Sequence, residues 1–373
     1  MRKVAIIGCG FVADLYMASL RLHPGIEVVG VFDRDPTRAR AFADHWTLPV
    51  MASAEALHAA LPQGGIVVNL TNPASHYAVN RAALEAGHHV YSEKPLALDM
   101  ADAQALAALA RERDLMLASA PCSVLGEAAQ TLARALRDGV AGTPRLLYAE
   151  LDDGFIPQAP YTAWRGESGA PWPYADEFAT GCTLEHAGYY LTWLIAMFGT
   201  IRTVVAASAE VIPDKQGGPY GTPDISVATL FFESGMVARL TCSIVAPHDH
   251  RIRVFGDKGV LEVDKAWANA APVRFRRRLR IRRRLMESPI PRRIRARGET
   301  HPKVGRRGAA SMNFALGLAE MFDAAEAGRA PRLSLDLALH LTEVTLAIQN
   351  AGESAGAQTM TTRCDPMEPM PWA

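Results

Sequence analysis

The sequence predicts an α/β protein in two parts: a doubly wound parallel sheet first, then an α+β part built on a large, mostly antiparallel sheet. Three observations carry this. Over the first 120 residues, short apolar runs alternate with helix-length stretches, the rhythm of β-α-β units and a parallel sheet. Beyond Pro121, strand-like runs follow one another without helices between them, which favours antiparallel pairing. The length, 373 residues, suits two domains. The change of rhythm places them at 1–121 and 122–373.

In the first part the expected strands are 4–7, 28–32, 66–70, 89–91 and 115–118, with helices at 36–44, 75–86 and 99–113. Gly87 is a suitable helix stop. In the second part a helix at 125–137 leads into a strand at 145–151 and a Pro/Gly/Trp-rich loop from 154 to 173. A helix at 183–198 follows, then strands at 203–212, 225–232, 237–245, 251–255 and 260–263. Helices at 311–327 and 335–350 are free to cover one face or to return to the first part.

Composition narrows the function classes. The chain is 49% apolar, enough for ordinary cores, yet no apolar run is long enough to span a membrane. The opening apolar run is too short for a signal peptide and ends in a glycine loop, so a cytoplasmic location is expected. The five scattered cysteines, with no Cys-x-x-Cys pair, suggest free buried thiols rather than disulfides or structural zinc. The net charge of zero conceals an asymmetry. Between Arg274 and Arg307 lie fourteen arginines and one lysine against two glutamates, a net of +13 on a body of −13. A basic insert at 274–309 is therefore expected.

Gly8-Cys9-Gly10-Phe11-Val12-Ala13 follows a strand and opens a helix. Gly8 permits the tight turn, Gly10 lets backbone approach a pyrophosphate, and Ala13 keeps the helix near the sheet, whose N-terminus then faces the phosphates. Asp33, twenty residues past Ala13, suits a carboxylate accepting from ribose hydroxyls. Together these predict a Rossmann site for NAD. NADP is the alternative if Arg34 or Arg38 pairs with a 2′-phosphate.

With Thr71-Asn72-Pro73-x-x-His76, Ala86-Gly87 and Glu93-Lys94-Pro95 ending the fifth strand, the chain resembles the Gfo/Idh/MocA oxidoreductases. The resemblance covers the whole first half, and the second half in architecture and part of its motifs. It implies that Lys94 reaches the substrate hydroxyl beside the nicotinamide, that Glu93 lies near the cofactor, and that the peptide before Pro95 is cis. Thr71, Asn72 and His76 join the cofactor site on the same ground, as do Trp164 and Arg165 in the long loop. The implied activity is hydride transfer between a secondary alcohol of a sugar or sugar derivative and NAD(P). Redox-neutral use of bound NAD, as in epimerisation or glycosidic cleavage, is the alternative enzyme reading. A nicotinamide-binding sensor or scaffold is the non-enzyme one. A homo-oligomer, dimer or tetramer, is expected.

Family members carry Asp-x-Gly-x-His on the next helix; here Glu185-His186-Ala187-Gly188-Tyr189 stands in its place. Tyr189 is the first candidate for proton exchange with the substrate hydroxyl and His186 the second, with Glu185 beside them at the substrate. Independently of the resemblance, 184, 187, 191, 195 and 198 form a core stripe, while no lysine or arginine occurs from 183 to 198. The other face must therefore be covered too, and the crevice of the first part is the natural cover. Lys94 nearby would lower the Tyr189 pKa from its usual value of about 10. His248-x-His250 offers two histidines on one face of a strand but no third ligand, so no metal is expected.

In the insert, arginine occupies every even position from 274 to 284 while Phe275, Leu279, Ile281 and Leu285 stand at odd ones. That alternation predicts a single strand with one cationic face. It is either an edge strand paired with the acidic body or a surface for an anionic ligand or acidic membrane. The aromatics of a nucleic-acid surface are missing.

Overall fold

The computed structural model describes residues 2–306 and 308–373; Arg307, counted in the basic insert, lies outside them. The first part alternates strands and helices: β1 (Arg2–Ile7), α1 (Phe11–Leu20), β2 (Ile26–Phe32), α2 (Pro36–Trp46), α3 (Ala54–Ala60), β3 (Ile66–Asn69), α4 (His76–Glu85), β4 (His89–Ser92), α5 (Met100–Glu112) and β5 (Leu117–Ser119). The strands pair in the order β2-β1-β3-β4-β5, all parallel. Val4, Ala5, Ile6, Ile66, Val67 and Val68 are fully buried, because helices cover both faces of a parallel sheet. The helix starts are locally encoded. Asp35 accepts from the Thr37 and Arg38 amides ahead of Pro36, Asp99 from the Asp102 amide, and Ser334 from the Leu337 amide.

Glu93-Lys94-Pro95 closes the fourth strand, not the fifth. The segment after α2 makes only an isolated bridge, Val50 to Val31, and forms no strand of its own. The Lys94–Pro95 peptide is cis, as expected.

The second part runs α6 (Glu127–Arg137), β6 (Pro144–Asp152), α7 (Tyr174–Thr180), a π-helical turn (Thr183–Ala187) and α8 (Gly188–Phe198). Then come β7 (Ile201–Ala209), β8 (Ile225–Phe232), β9 (Val237–Ser243), β10 (Ile252–Gly256), β11 (Gly259–Val263), β12 (Val273–Ile281), β13 (Arg284–Glu287) and β14 (Arg292–Ile294). Two helices, α9 (Leu316–Glu326) and α10 (Leu335–Gln349), and β15 (Ala357–Thr359) complete it. The sheet order is β13-β12-β11-β10-β6-β9-β8-β7-β15, with β14 also on β12; only β6 and β9 pair parallel. The mixed α/β architecture with a large, mostly antiparallel second sheet agrees with the sequence reading.

The last helices do return to the first part. The Phe314 ring packs 5.3 Å from Tyr16, and the Phe314 amide donates to Ser19 Oγ at 3.0 Å. Ala338 and Leu339 of α10 join an apolar cluster under the first sheet, while Leu341, Val344 and Ile348 join the larger cluster that runs through both parts.

The basic segment is not one strand. It turns back at Arg282-Arg283, with Arg282 at φ 55°, and β12 and β13 form a hairpin. The even arginines continue through the turn without a glycine or asparagine to mark it, so alternation alone overshot the strand end. Among the described residues no helix is long and apolar enough to cross a membrane. All five cysteines are free and buried.

Candidate active site

A cleft of about 640 Å³ lies between the C-terminal ends of the first sheet's strands and the helices of the second part. At its floor Gly8 has φ +99°, and a Cβ there would stand 2.5 Å from the Leu70 carbonyl oxygen. Only glycine fits. Gly10 caps α1 with no atom within 4 Å of its Cβ position, leaving the helix N-terminus open to an anion. Gly8, Gly10, Phe11 and Val12 line the cleft. Ala13 does not; it is fully buried, packing α1 on the sheet.

Asp33 and Arg34 stand on the cleft wall past the end of β2. Asp33 accepts from the Cys9 amide at 2.9 Å through one oxygen and from the Asp35 amide at 2.9 Å through the other. Arg38 reaches within 3.6 Å. The carboxylate is thereby fixed against the glycine loop.

Thr71 and Asn72 follow β3 and line the cleft. His76, expected beside them, is buried behind the wall: its ring nitrogens lie 2.6 Å from the Pro95 carbonyl oxygen and 3.0 Å from that of Thr71. It ties the two loops together instead of facing a ligand. Glu93 accepts from the Tyr16 hydroxyl at 2.7 Å and from the Lys94 amide at 3.0 Å.

From there Lys94 reaches across the cleft and forms a short ion pair with Glu185. Burial works against its charge, but Glu185 and Glu177 outweigh that and raise its pKa well above the ordinary value. The expectation that something covers the charge-free side of 183–198 is met by this contact with the first part. The π-helical turn carries Glu185 and His186 into the cleft. Glu177, on α7, was not singled out from the sequence. Burial and the neighbouring Glu185 push its pKa well up, with Lys94 opposing.

Tyr189 lies in the same cleft, its ring 4.0 Å from Trp267 and its centroid 6.0 Å from Lys94 Nζ. The expected lowering of its pKa does not hold. Burial raises it above the ordinary phenol value, and Lys94 offsets this only in part. His186 is held neutral by burial, although Asp153 Oδ2 stands 3.4 Å from its Nδ1.

The long loop is pinned to the first part, since Asp14 Oδ2 accepts from the amide and hydroxyl of Ser168 at 3.0 Å each. Trp164 lines the cleft beside Trp172, 5.1 Å away. Arg165 turns away, donating to the Thr162 and Trp164 carbonyls at 2.8 Å, and is no part of the wall.

Known proteins resemble this chain in sequence and fold. Residues 2–120 match the oxidoreductase family with an NAD-binding Rossmann fold, and residues 129–262 match the GFO/IDH/MocA C-terminal domain. The chain is 28% identical over 268 residues to a D-apiose dehydrogenase of Paraburkholderia graminis, covering 71% of this chain and 65% of that protein. It is 27% identical over 267 residues to the mouse trans-1,2-dihydrobenzene-1,2-diol dehydrogenase, covering 70% and 74%. The crystal structure of the WlbA dehydrogenase from Bordetella pertussis, in complex with NADH and UDP-GlcNAcA, superposes with a TM-score of 0.70 at 16% identity, covering 96% and 99%. With both halves matched in order along one chain, the protein belongs to the GFO/IDH/MocA family of oxidoreductases.

Proposed function

We propose that the protein transfers a hydride between a secondary alcohol of a sugar or sugar derivative and NAD, with Lys94 and Tyr189 at the reacting carbon. The observation that carries this is the meeting in one cleft of the glycine loop, the strand-end Lys94 and the helix bearing Glu185 and Tyr189. NAD would be held with its pyrophosphate at the N-terminus of α1, its ribose by Asp33 and its nicotinamide toward Glu93 and Lys94, where it would supply or accept the hydride. Glu185 keeps Lys94 charged and aimed, and the ammonium polarises the substrate C–O bond. Tyr189 as a phenol gives its proton to a carbonyl as the hydride arrives; in the reverse direction its phenolate takes the proton of the alcohol as the hydride leaves. The sugar class rests on the family relatives.

The hairpin of β12 and β13 supplies a proposed second partner. Arg274 pairs with Asp264 and Arg276 with Glu262, so the base of the strand is neutralised by the body. Beyond it, no carboxylate among the described residues pairs with Arg277, Arg282, Arg283 or Arg284. Leu279, Ile281 and Met286 share one face of the hairpin with Arg277 and Arg284. Ile281, Leu285, Met286 and Ile290 are 51–80% exposed. Apolar side chains ringed by unpaired arginines fit an anionic membrane surface.

Four outcomes test these readings. Lys94→Met is expected to abolish hydride transfer while NAD affinity, measured by calorimetry, stays within a few-fold; near wild-type turnover would remove the mechanism. Calorimetric titration is expected to show tighter binding of NAD than of NADP, with Asp33→Ala narrowing the gap. Tighter NADP binding in the wild type would transfer the choice to Arg34 or Arg38.

The pH profile separates the two proton carriers. With the Tyr189 pKa raised, alcohol oxidation is expected to climb with pH through 9, and Tyr189→Phe to lower kcat by about 10²–10⁴-fold. If His186 were the base, its lowered pKa would instead place the activity loss below the ordinary histidine value of 6.5, and His186→Asn would erase that limb. Finally, the protein is expected to sediment with vesicles containing phosphatidylglycerol at low salt but not with phosphatidylcholine alone. Serine at 277, 282, 283 and 284 is expected to abolish this; unchanged sedimentation would discard the membrane surface.

A further inference from the structure

Beside the cleft, at its second-part wall, the chain brings together Asp153, His248 and His250. Backbone pairing arranges them. Asp152 and Asp249 exchange amide-to-carbonyl hydrogen bonds at 2.9 Å in each direction, forming an antiparallel bridge. Side chains alternate along paired strands. With 152 and 249 opposed on one side, 153, 248 and 250 therefore fall together on the other. The Asp153 amide is fixed in turn to the Ser243 carbonyl at 2.9 Å, and that of Gly154 to Ala246 at 3.1 Å.

One ligand atom from each of the three residues lies within 4.8 Å of the others. His250 is 5% exposed, and its Nε2 stands 3.2 Å from Asp153 Oδ1. Yet that nitrogen is aligned with no hydrogen-bond partner among the described residues. A buried imidazole nitrogen left in this way is costly unless something else engages it. A cation does so: bonds of about 2.0–2.2 Å to nitrogen and carboxylate oxygen place neighbouring donors roughly 3–4 Å apart.

We propose that Asp153, His248 and His250 bind a single first-row divalent cation, zinc by preference, beside the hydride-transfer cleft. Two imidazoles and one carboxylate form a donor set that such ions favour and that magnesium or calcium does not. Three protein ligands leave a coordination position open. Asp153 belongs both to this cluster and to the cleft wall, which sets the ion at the edge of the cleft. His186, 3.4 Å from the second Asp153 oxygen, is the outer partner that orients the carboxylate. His248 is exposed and gives the ion access from solvent.

The inference is tested without turnover, so its failure is separable from that of the oxidoreductase reading. Metal-free protein is titrated with Zn²⁺ against a competing chelator dye, and with Co²⁺ followed by visible absorption. The expected result is one ion per chain with the intense visible bands of a four- or five-coordinate Co²⁺ site. At least a 100-fold loss of affinity is expected in His248→Ala and in Asp153→Asn. His58→Ala, which alters the stacked His58–His88 pair elsewhere, is expected to bind as the wild type. NAD binding monitors folding of each variant; should Asp153→Asn fail to fold, the exposed His248 carries the test. Substoichiometric Zn²⁺ binding by the wild type, or wild-type affinity in His248→Ala, would overturn the site.

Discussion

The ion pair between Lys94 and Glu185 is the constraint on which the rest of the molecule depends. Its two ends belong to different sheets' worlds: Lys94 leaves the tip of β4, and Glu185 rides a π-helical turn ahead of α8. Both side chains are largely buried, 16% and 4% exposed. Removing either partner would strand the other charge away from water, at a cost of about 3–5 kcal/mol. Such a pair does more to define one arrangement than to stabilise it. Here it ties the segment that leads into the helix bearing Tyr189 to the strand end opposite it across the cleft. Glu177 beside it is discouraged from ionising by burial and by the neighbouring Glu185, with Lys94 opposing.

Much of the cofactor side was legible in the sequence because its signals are local. A strand, a tight glycine turn, a helix start and an acid at the next strand end all fall within thirty-three residues, and the structure brings them to one wall. The same locality misplaced His76 and Arg165. Each sits beside residues that do face the cleft, but whether a side chain points inward depends on what lies behind it, and sequence spacing is silent on that. Ala13 is simpler, since its part in the motif is to be small and hidden.

The substrate side was less legible for a different reason. Glu177 and Asp153 acquire their surroundings from partners far along the chain. His248 and His250 could be paired by strand periodicity, but the carboxylate that joins them is ninety-five residues before His248. The Tyr189 expectation failed on magnitude, not on neighbours: Lys94 is present, yet desolvation of a buried phenol exceeds the benefit of a cation whose charge Glu185 already answers. In the basic hairpin, periodicity reported the strand faithfully up to Ile281 and then misled, because its turn is written in the same residue as its face.

The return of α9 and α10 to the first sheet has a consequence for synthesis. A ribosome delivers the cofactor-binding strands first, and a domain of this kind ordinarily begins to fold as it emerges. Here the apolar cluster beneath β1, β3 and β4 takes in Ala338 and Leu339, and Tyr16 receives Phe314. The N-terminal sheet therefore stays open on these faces until some two hundred further residues have appeared. During that interval the nascent protein carries an unfinished core on one side and, once β12 and β13 emerge, a strongly cationic hairpin on the other. Its hold on the nucleotide matures last, when the tail arrives to close what the first residues began.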